Sequence, residues 1–159
     1  MKNILFVCLG NICRSPAAEG VMTSLVQQAG LEGEIFCDSA GTIGYHAGEP
    51  ADGRMRRSAR QRGYDLTSIS RKVNPAIDFE KFDLIVAMDD DNLRDLRAMD
   101  HDNTYAAKMH KMTDFCRTSN ATYVPDPYYG GTQGFENVLD ILEDACGGLL
   151  EKIRDERKS

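Results

Sequence analysis

Hydrophobic positions alternate between two spacings along the chain, and this alternation predicts strands separated by helices. Residues 3–7 form a short apolar run, which is typical of a buried strand. From Ala18 to Ala29, apolar side chains recur at helical spacing, and Gly30 follows as a stop signal. Residues 34–37 predict a second strand. The first part of the chain is therefore expected to form a βαβ unit with a right-handed crossover.

The same alternation continues to the end of the chain. A helix is expected over residues 51–62, a strand over 82–88, a helix over 90–99 and a short strand over 106–109. A final helix presents a broad apolar face made of Phe135, Val138, Leu139, Leu142, Cys146, Leu149, Leu150 and Ile153. These elements predict an α/β fold: a small doubly wound, mostly parallel four-stranded sheet with helices on both faces.

Composition and charge narrow the classes of function. The 159 residues are 42% hydrophobic and 28% charged, which fits one domain spanning residues 1–159, and no linker or repeat divides it. The net charge of −6 argues against a general nucleic-acid binder. No apolar run approaches the length of a membrane span, and the first apolar run is too short for a signal peptide. We therefore expect a cytoplasmic protein without nucleic-acid or membrane partners.

The cysteines and histidines do not follow the spacing of a metal site. Cysteine stands at positions 8, 13, 37, 116 and 146, and histidine at 46, 101 and 110. No zinc-ligand pattern results, and an odd number of cysteines fits a reducing compartment better than a disulfide scaffold. We expect neither a metal nor a cofactor.

Five arginines stand between Arg54 and Arg62 on one expected helix. This pattern favours a solvated helix face over a docking patch for acidic substrates.

The loop after the first strand carries most of the chemistry. It places the Cys8 thiol and the Arg14 guanidinium at its two ends, and Ser15-Pro16 begins a helix with Pro16 at the first helical position. The residues between the ends are Leu9, Gly10, Asn11, Ile12 and Cys13. A loop between a strand end and a helix start points backbone N–H groups and the positive end of the helix dipole at one spot. This arrangement predicts a phosphate-binding loop after the first strand.

Each residue type in the loop suits that chemistry. The positive field favours a nucleophilic thiolate at Cys8, and Arg14 offers a bidentate fork for phosphate oxygens. Gly10 permits close backbone approach, Asn11 tolerates a left-handed conformation, and Ser15 can donate a hydrogen bond to the Cys8 sulfur.

Residues 7–16 resemble the signature loop of the low-molecular-weight protein tyrosine phosphatases. The resemblance continues through residues 38–42, 88–93 and 126–131 and covers essentially the whole chain. It implies metal-independent hydrolysis of phosphotyrosine through a phosphocysteine intermediate, with Cys8 as nucleophile and Arg14 as phosphate clamp. It also implies tyrosine-phosphorylated proteins, and a cognate tyrosine kinase, as partners, and inorganic phosphate as product.

The chemistry also needs a group that protonates the leaving phenolate and later activates water. Asp126 lies between Pro125 and Pro127, which hold it on a stiff loop. The family carries its general acid in this motif, so the resemblance implies that role for Asp126. Aromatic residues line the cleft of the family at the positions that here hold Tyr45, Tyr128 and Tyr129.

The same resemblance implies supporting roles for Ser39, which would brace the loop through Asn11, and for Asp89, at the start of the neighbouring helix. Several members of the family have a histidine in the stretch that here spans residues 67–71. This chain has none there, which leaves Ser68, Ser70 or Arg71 as the substitute.

Cys13 lies inside the loop, and we hypothesise that it captures an oxidised Cys8 as a reversible disulfide.

Three alternative functions remain open. An arsenate reductase of this fold needs further cysteines on a nearby segment, and none stands between Cys37 and Cys116. A protein arginine phosphatase carries threonine at the position of Ile12. A non-catalytic phosphate-binding module needs neither Cys8 nor Asp126, and both are present.

Overall fold

The computed structural model describes residues 1–158 of the chain. In chain order its elements are β1 (Lys2–Cys8), α1 (Arg14–Gln28), β2 (Ile35–Gly41), α2 (Gly53–Gln61), α3 (Pro75–Lys81), β3 (Leu84–Ala87), α4 (Asp90–Met99), β4 (Met109–Lys111) and α5 (Thr132–Lys158). The four strands form one parallel sheet in the order β2-β1-β3-β4. This confirms the predicted α/β fold.

Both faces of the sheet are covered because the side chains of β1 alternate between two cores. Ile4 and Phe6 join the larger core with α1, α2 and α5, while Leu5 and Val7 join the smaller core with α3 and α4. All four side chains are fully buried. A strand that is buried on both faces reads as a continuous apolar run, which is the pattern that predicted β1.

The carboxyl end of β1 lies where the chain order of the sheet reverses, since β2 and β3 lie on opposite sides of it. Ligands of doubly wound sheets bind at such a switch point. Cys8 is the last residue of β1 and stands opposite Gly41 of β2. A Cβ atom on Gly41 would lie 2.7 Å from the carbonyl oxygen of Leu9, so only glycine permits this close approach. The switch point therefore positions the loop that begins at Cys8.

Two element boundaries differ from prediction around the loop. Helix α1 begins at Arg14, two residues before Pro16. The proline is tolerated because N–H groups in the first turn have no intrahelical acceptor. Strand β2 runs to Gly41, well past the predicted 34–37, because its polar and small residues pair with β1.

The last strand begins later than predicted, and one helix before β3 lies outside the predicted elements. The short strand expected near residues 106–109 is present but begins later, because Ala106–Lys108 form a 3₁₀ turn and β4 starts at Met109. Helix α3 was not predicted, because seven residues give too short a periodic signal. Its start is marked by Pro75 at the first helical position, and Phe79 anchors it in the smaller core.

Across residues 1–158, no helix has the length and apolar character that crossing a bilayer requires.

Candidate active site

The Cys8 thiol lies at the floor of the loop, within reach of two polar groups. The backbone N–H of Asn11 donates to the Cys8 sulfur at 3.3 Å, and the Ser15 hydroxyl lies 3.1 Å from the same atom. Only 3% of Cys8 is exposed. Hydrogen bonds to a sulfur stabilise its anionic form, so this floor suits a thiolate nucleophile.

Asn11 holds the loop in a left-handed turn, with φ of 57°. Its side-chain nitrogen donates to Ser15 Oγ at 2.8 Å and to Ser39 Oγ at 3.0 Å. Its side-chain oxygen accepts from the backbone N–H of Arg71 at 3.0 Å. Three hydrogen bonds therefore offset the conformational cost of the turn, which orients the Asn11 N–H toward Cys8.

The stretch that lacks a histidine braces the loop from the outside. Ser70 donates from its hydroxyl to the carbonyl oxygen of Gly10 at 3.0 Å. The Arg71 guanidinium is fixed by Asp38, at 3.0 Å, and by Asp78, at 2.9 Å. Of the three substitutes left open by the sequence, Ser70 and the Arg71 backbone contact the loop directly.

Glu19 is a supporting residue that the sequence analysis missed. It accepts a hydrogen bond from the Ser39 hydroxyl at 2.6 Å, and Ser68 also donates to it. Burial raises the pKa of the Glu19 carboxyl, and the Ser39 hydrogen bond only partly opposes this rise. Glu19 fixes Ser39, which in turn fixes Asn11. The available signal was its helical spacing of four residues from Ser15.

Arg14 is buried, and its guanidinium is held from two distant segments. Its Nη1 donates to Asp89 Oδ2 at 2.6 Å and to the carbonyl oxygen of Val124 at 3.0 Å. Burial alone would lower the pKa of Arg14, but the negative charges of Cys8 and Asp89 raise it above its usual value. The Asp89 side chain also accepts from the N–H of Asn92 and so caps α4. Asp89 therefore makes two contacts: it caps α4, as expected, and it also binds Arg14.

Asp126, which is distant in sequence, also lies beside the Arg14 guanidinium. Its Oδ2 lies 3.8 Å from Arg14 Nη2, and its Oδ1 accepts from the N–H of Tyr128 at 3.0 Å. The side chain is 44% exposed. One carboxylate oxygen is therefore tied to its own turn, while the other lies beside the cleft.

Cys8, Arg14 and Asp126 line a cleft of about 330 Å³. Tyr45, Tyr128 and Tyr129 all line it, although Tyr45 and Tyr129 are largely exposed. Its lining also includes Ile43 and His46, which the sequence analysis did not single out. The cleft thus combines a polar floor with an aromatic rim.

His46 covers the loop at the rim. Its ring lies edge-on to Tyr45, with 4.8 Å between centroids, and Nδ1 contacts Glu49 Oε2 at 2.5 Å. A Cβ atom on Gly10 would lie 3.1 Å from the His46 ring, so the glycine makes room for it.

All five cysteines are free thiols. Burial raises the pKa of the Cys13 thiol, and the nearby Asp52 carboxylate raises it further. Burial also raises the pKa of Cys37 to about 12 and that of Cys116 to about 11. In the described part of the chain, the thiols that line the cleft are Cys8 and Cys13.

No group of three or more His, Cys, Asp or Glu side chains in residues 1–158 is arranged to hold a metal ion.

A family model, curated relatives and solved structures that are similar to this chain all include protein tyrosine phosphatases. The family model described as low molecular weight phosphotyrosine protein phosphatase matches residues 3–159. The human low molecular weight phosphotyrosine protein phosphatase is 38% identical over 152 residues, which are 95% of each chain.

Two solved structures extend the comparison. A crystal structure of a protein tyrosine phosphatase from Entamoeba histolytica, with Hepes in its active site, is 51% identical, has a TM-score of 0.93 and covers 99% of each chain. A crystal structure of a Drosophila arginine phosphatase is 31% identical, with a TM-score of 0.88. The matched region covers 96% of this chain and 98% of the chain of the arginine phosphatase.

Proposed function

The chain belongs to the family of low molecular weight phosphotyrosine protein phosphatases, and from this premise we propose that it hydrolyses phosphotyrosine through a phosphocysteine intermediate. One observation carries the proposal. Cys8, Arg14 and Asp126 line a single cleft, with 3.8 Å between the Arg14 guanidinium and the Asp126 carboxylate. A nucleophile, an anion clamp and an acid are thus available to one phosphate group.

In the first step, the Cys8 thiolate attacks phosphorus in line with the bond to the tyrosine oxygen. The S–P bond forms as the P–O bond breaks, and Asp126 gives its proton to the departing phenolate. Arg14 and the loop N–H groups stabilise the charge on the three equatorial oxygens. The Asn11 turn and the Asp89 contact hold these donors in place before the substrate arrives.

In the second step, water attacks the phosphocysteine. Asp126, now a carboxylate, removes a proton from the water as the S–P bond breaks. Cys8 leaves as a thiolate, and inorganic phosphate is released. The exposure of the Asp126 side chain supports this role, because water can reach it.

The aromatic rim supports a phosphotyrosine substrate. A ring that enters between Tyr45 and Tyr128 would contact apolar surface that a shorter phosphoserine side chain cannot reach. The substrates would be tyrosine-phosphorylated proteins, with a cognate tyrosine kinase as the source of the modification. A cytoplasmic setting agrees with this chemistry because the Cys8 nucleophile must stay reduced.

A second candidate is hydrolysis of phosphoarginine, which is favoured by the similarity to the Drosophila arginine phosphatase. Ile12 lines the cleft of this chain and adds apolar surface, which suits a phenyl ring better than a guanidinium. An arsenate reductase has less support, because Cys37 and Cys116 are outside the lining of the cleft.

The test is phosphate release, with chelator present, from matched peptides that carry phosphotyrosine, phosphoserine or phosphoarginine. Release from the phosphotyrosine peptide that is lost in Cys8→Ser is the expected result. We expect Asp126→Ala to lower the turnover of phosphotyrosine by about 100-fold or more. Dominant release from phosphoarginine would replace the proposal by its second candidate, and equal release by Cys8→Ser would refute both.

A further inference from the structure

A second cleft of about 240 Å³ adjoins the candidate active site. Arg54 and Arg57 of α2 form one side of it, and Gly130 and Thr132 lie on the other. Its lining includes Phe135, which is almost completely buried. We call this space the arginine groove. Nothing in the proposed mechanism uses it.

The two clefts share a wall. The Arg54 guanidinium carbon lies 5.2 Å from the centroid of the Tyr128 ring and 4.9 Å from that of Phe135. Tyr128 lines the candidate active site, while Arg54 lines the arginine groove. The exposed Tyr129 lines the first cleft, and the next residue, Gly130, lines the second. A substrate bound in one cleft is therefore only one side chain away from the other.

The five arginines around α2 have different environments. Arg62 contacts three carboxylates of α5 and is part of the packing between helices. Arg54 is held by Asp52 through two side-chain hydrogen bonds, at 3.2 and 3.0 Å. Arg57 is exposed, and among the described residues it has no ion pair of the kind that Arg54 and Arg62 make. The arginine groove thus has an oriented guanidinium and a second one whose charge is unbalanced.

This unbalanced charge is notable on a protein of net charge −6. The chain as a whole repels acidic peptides, so a local cation beside the cleft would select among them by position. Arg54 is held against Tyr128 and its charge is balanced by Asp52, so the unpaired positive charge of the groove is that of Arg57.

We propose that the arginine groove binds an acidic side chain of the substrate, close in sequence to the phosphotyrosine. This inference rests on the proposed function and adds a substrate class to it. An extended peptide advances about 3.3–3.6 Å per residue. Because the Arg54 guanidinium lies 5.2 Å from the ring of Tyr128, which lines the candidate active site, we expect the acidic residue within about one to three positions of the phosphotyrosine. The sequence pattern favoured a solvated helix face, and the shared wall is the observation that changes this interpretation.

The test compares phosphotyrosine peptides that carry Glu or Gln at single positions on either side of the phosphorylated residue. The readout is the ratio of kcat/KM for the Glu peptide to that for the matching Gln peptide, so changes in general activity cancel. The unmodified protein is compared with Arg57→Gln. The control is Arg60→Gln, which removes the same charge from an exposed position of α2 outside the groove.

In the unmodified protein, we expect the Glu peptide to be favoured about two- to fivefold at one or two positions, through a lower KM. Arg57→Gln should bring this ratio close to one, and Arg60→Gln should preserve it. A ratio near one in the unmodified protein, with both peptides hydrolysed, would overturn the inference and leave the proposed function intact. An equal loss in both variants would also overturn it, because that result is expected of the general field alone. Absence of phosphotyrosine hydrolysis would overturn the proposed function and this inference together.

Discussion

Asp89 and Arg14 are joined by a contact of 2.6 Å between Oδ2 and Nη1, although 75 positions separate them in the chain. The same carboxylate caps α4 through its other oxygen, which accepts from the N–H of Asn92 at 2.8 Å. Asp89 thus connects the start of a helix to Arg14, the proposed anion clamp of the loop. Substitution can separate the capping of α4 from the contact with Arg14.

Replacement of Asp89 should show this separation. Asn keeps a helix-capping oxygen but loses the charge, whereas Ala loses both. We expect Asp89→Asn and Asp89→Ala to lower kcat/KM for phosphotyrosine on the order of 10- to 100-fold, because a charge-assisted hydrogen bond to Arg14 is lost. Only Ala should also lose about 1 kcal/mol of cap stability. Steady-state kinetics and urea unfolding measure the two effects, and full activity in Asp89→Asn would contradict the role.

The Asn11 turn offers a second test. Asn11→Gly keeps the left-handed backbone accessible and removes the side-chain hydrogen bonds, while Asn11→Ala also strains the backbone. We expect turnover to fall in both variants, on the order of 10- to 100-fold, because the N–H that faces Cys8 is no longer held in place. Ala should be less stable than Gly by about 1 kcal/mol. Equal stability of the two variants in urea unfolding would show that the turn is not strained.

Glu19 should make stability depend on pH. Burial raises its pKa above the usual 4.5, so the folded protein binds this proton more tightly than the unfolded chain. The resulting stabilisation is fully present below pH 4.5 and is lost as pH rises through the higher folded-state value. We therefore expect the unmodified protein to lose stability relative to Glu19→Gln as pH is raised above 4.5. Urea unfolding at several pH values measures this difference, with Glu32→Gln, at an exposed position, as control. A difference that grows in the opposite direction would contradict the argument.

Cys13 should protect the nucleophile from irreversible oxidation. Burial raises the pKa of the Cys13 thiol, so peroxide should react first at Cys8 and give a sulfenic acid. The Cys13 thiol would then displace water from it and form a disulfide. We expect activity to return after treatment with a thiol reductant, and Cys13→Ser to be inactivated irreversibly. Mass spectrometry that finds only sulfinic or sulfonic acid at Cys8 in the unmodified protein would contradict this.

The local part of the site could be predicted from the sequence, since strand β1, the loop and the start of α1 follow one another in the chain. The hydrophobic spacing and the interval between Cys8 and Arg14 were sufficient to predict these three neighbouring parts. The contact of Asp89 with Arg14 could not be predicted from spacing, because it depends on how β1 and β3 pair. His46 was missed for a similar reason: its place over Gly10 depends on the path of the loop after β2.

The hydrogen bonds that support the loop were also only partly predictable from the sequence. Asn11 was identified by its conformational tolerance, and its left-handed φ agrees with that expectation. Glu19 resembled any surface carboxylate of an amphipathic helix. Its partial burial against Ser39 follows only from the crossover that packs α1 on β2.

The central claim is that Cys8 carries the phosphoryl group during turnover. The most direct measurement uses Asp126→Ala with p-nitrophenyl phosphate, whose leaving group departs without an acid, while release of the enzyme-bound phosphoryl group still needs a base. Rapid acid quenching followed by mass spectrometry should find one phosphoryl group on Cys8, together with a burst of p-nitrophenol. Hydrolysis that proceeds without any phosphoryl adduct at Cys8, or that persists in Cys8→Ser, would contradict the account.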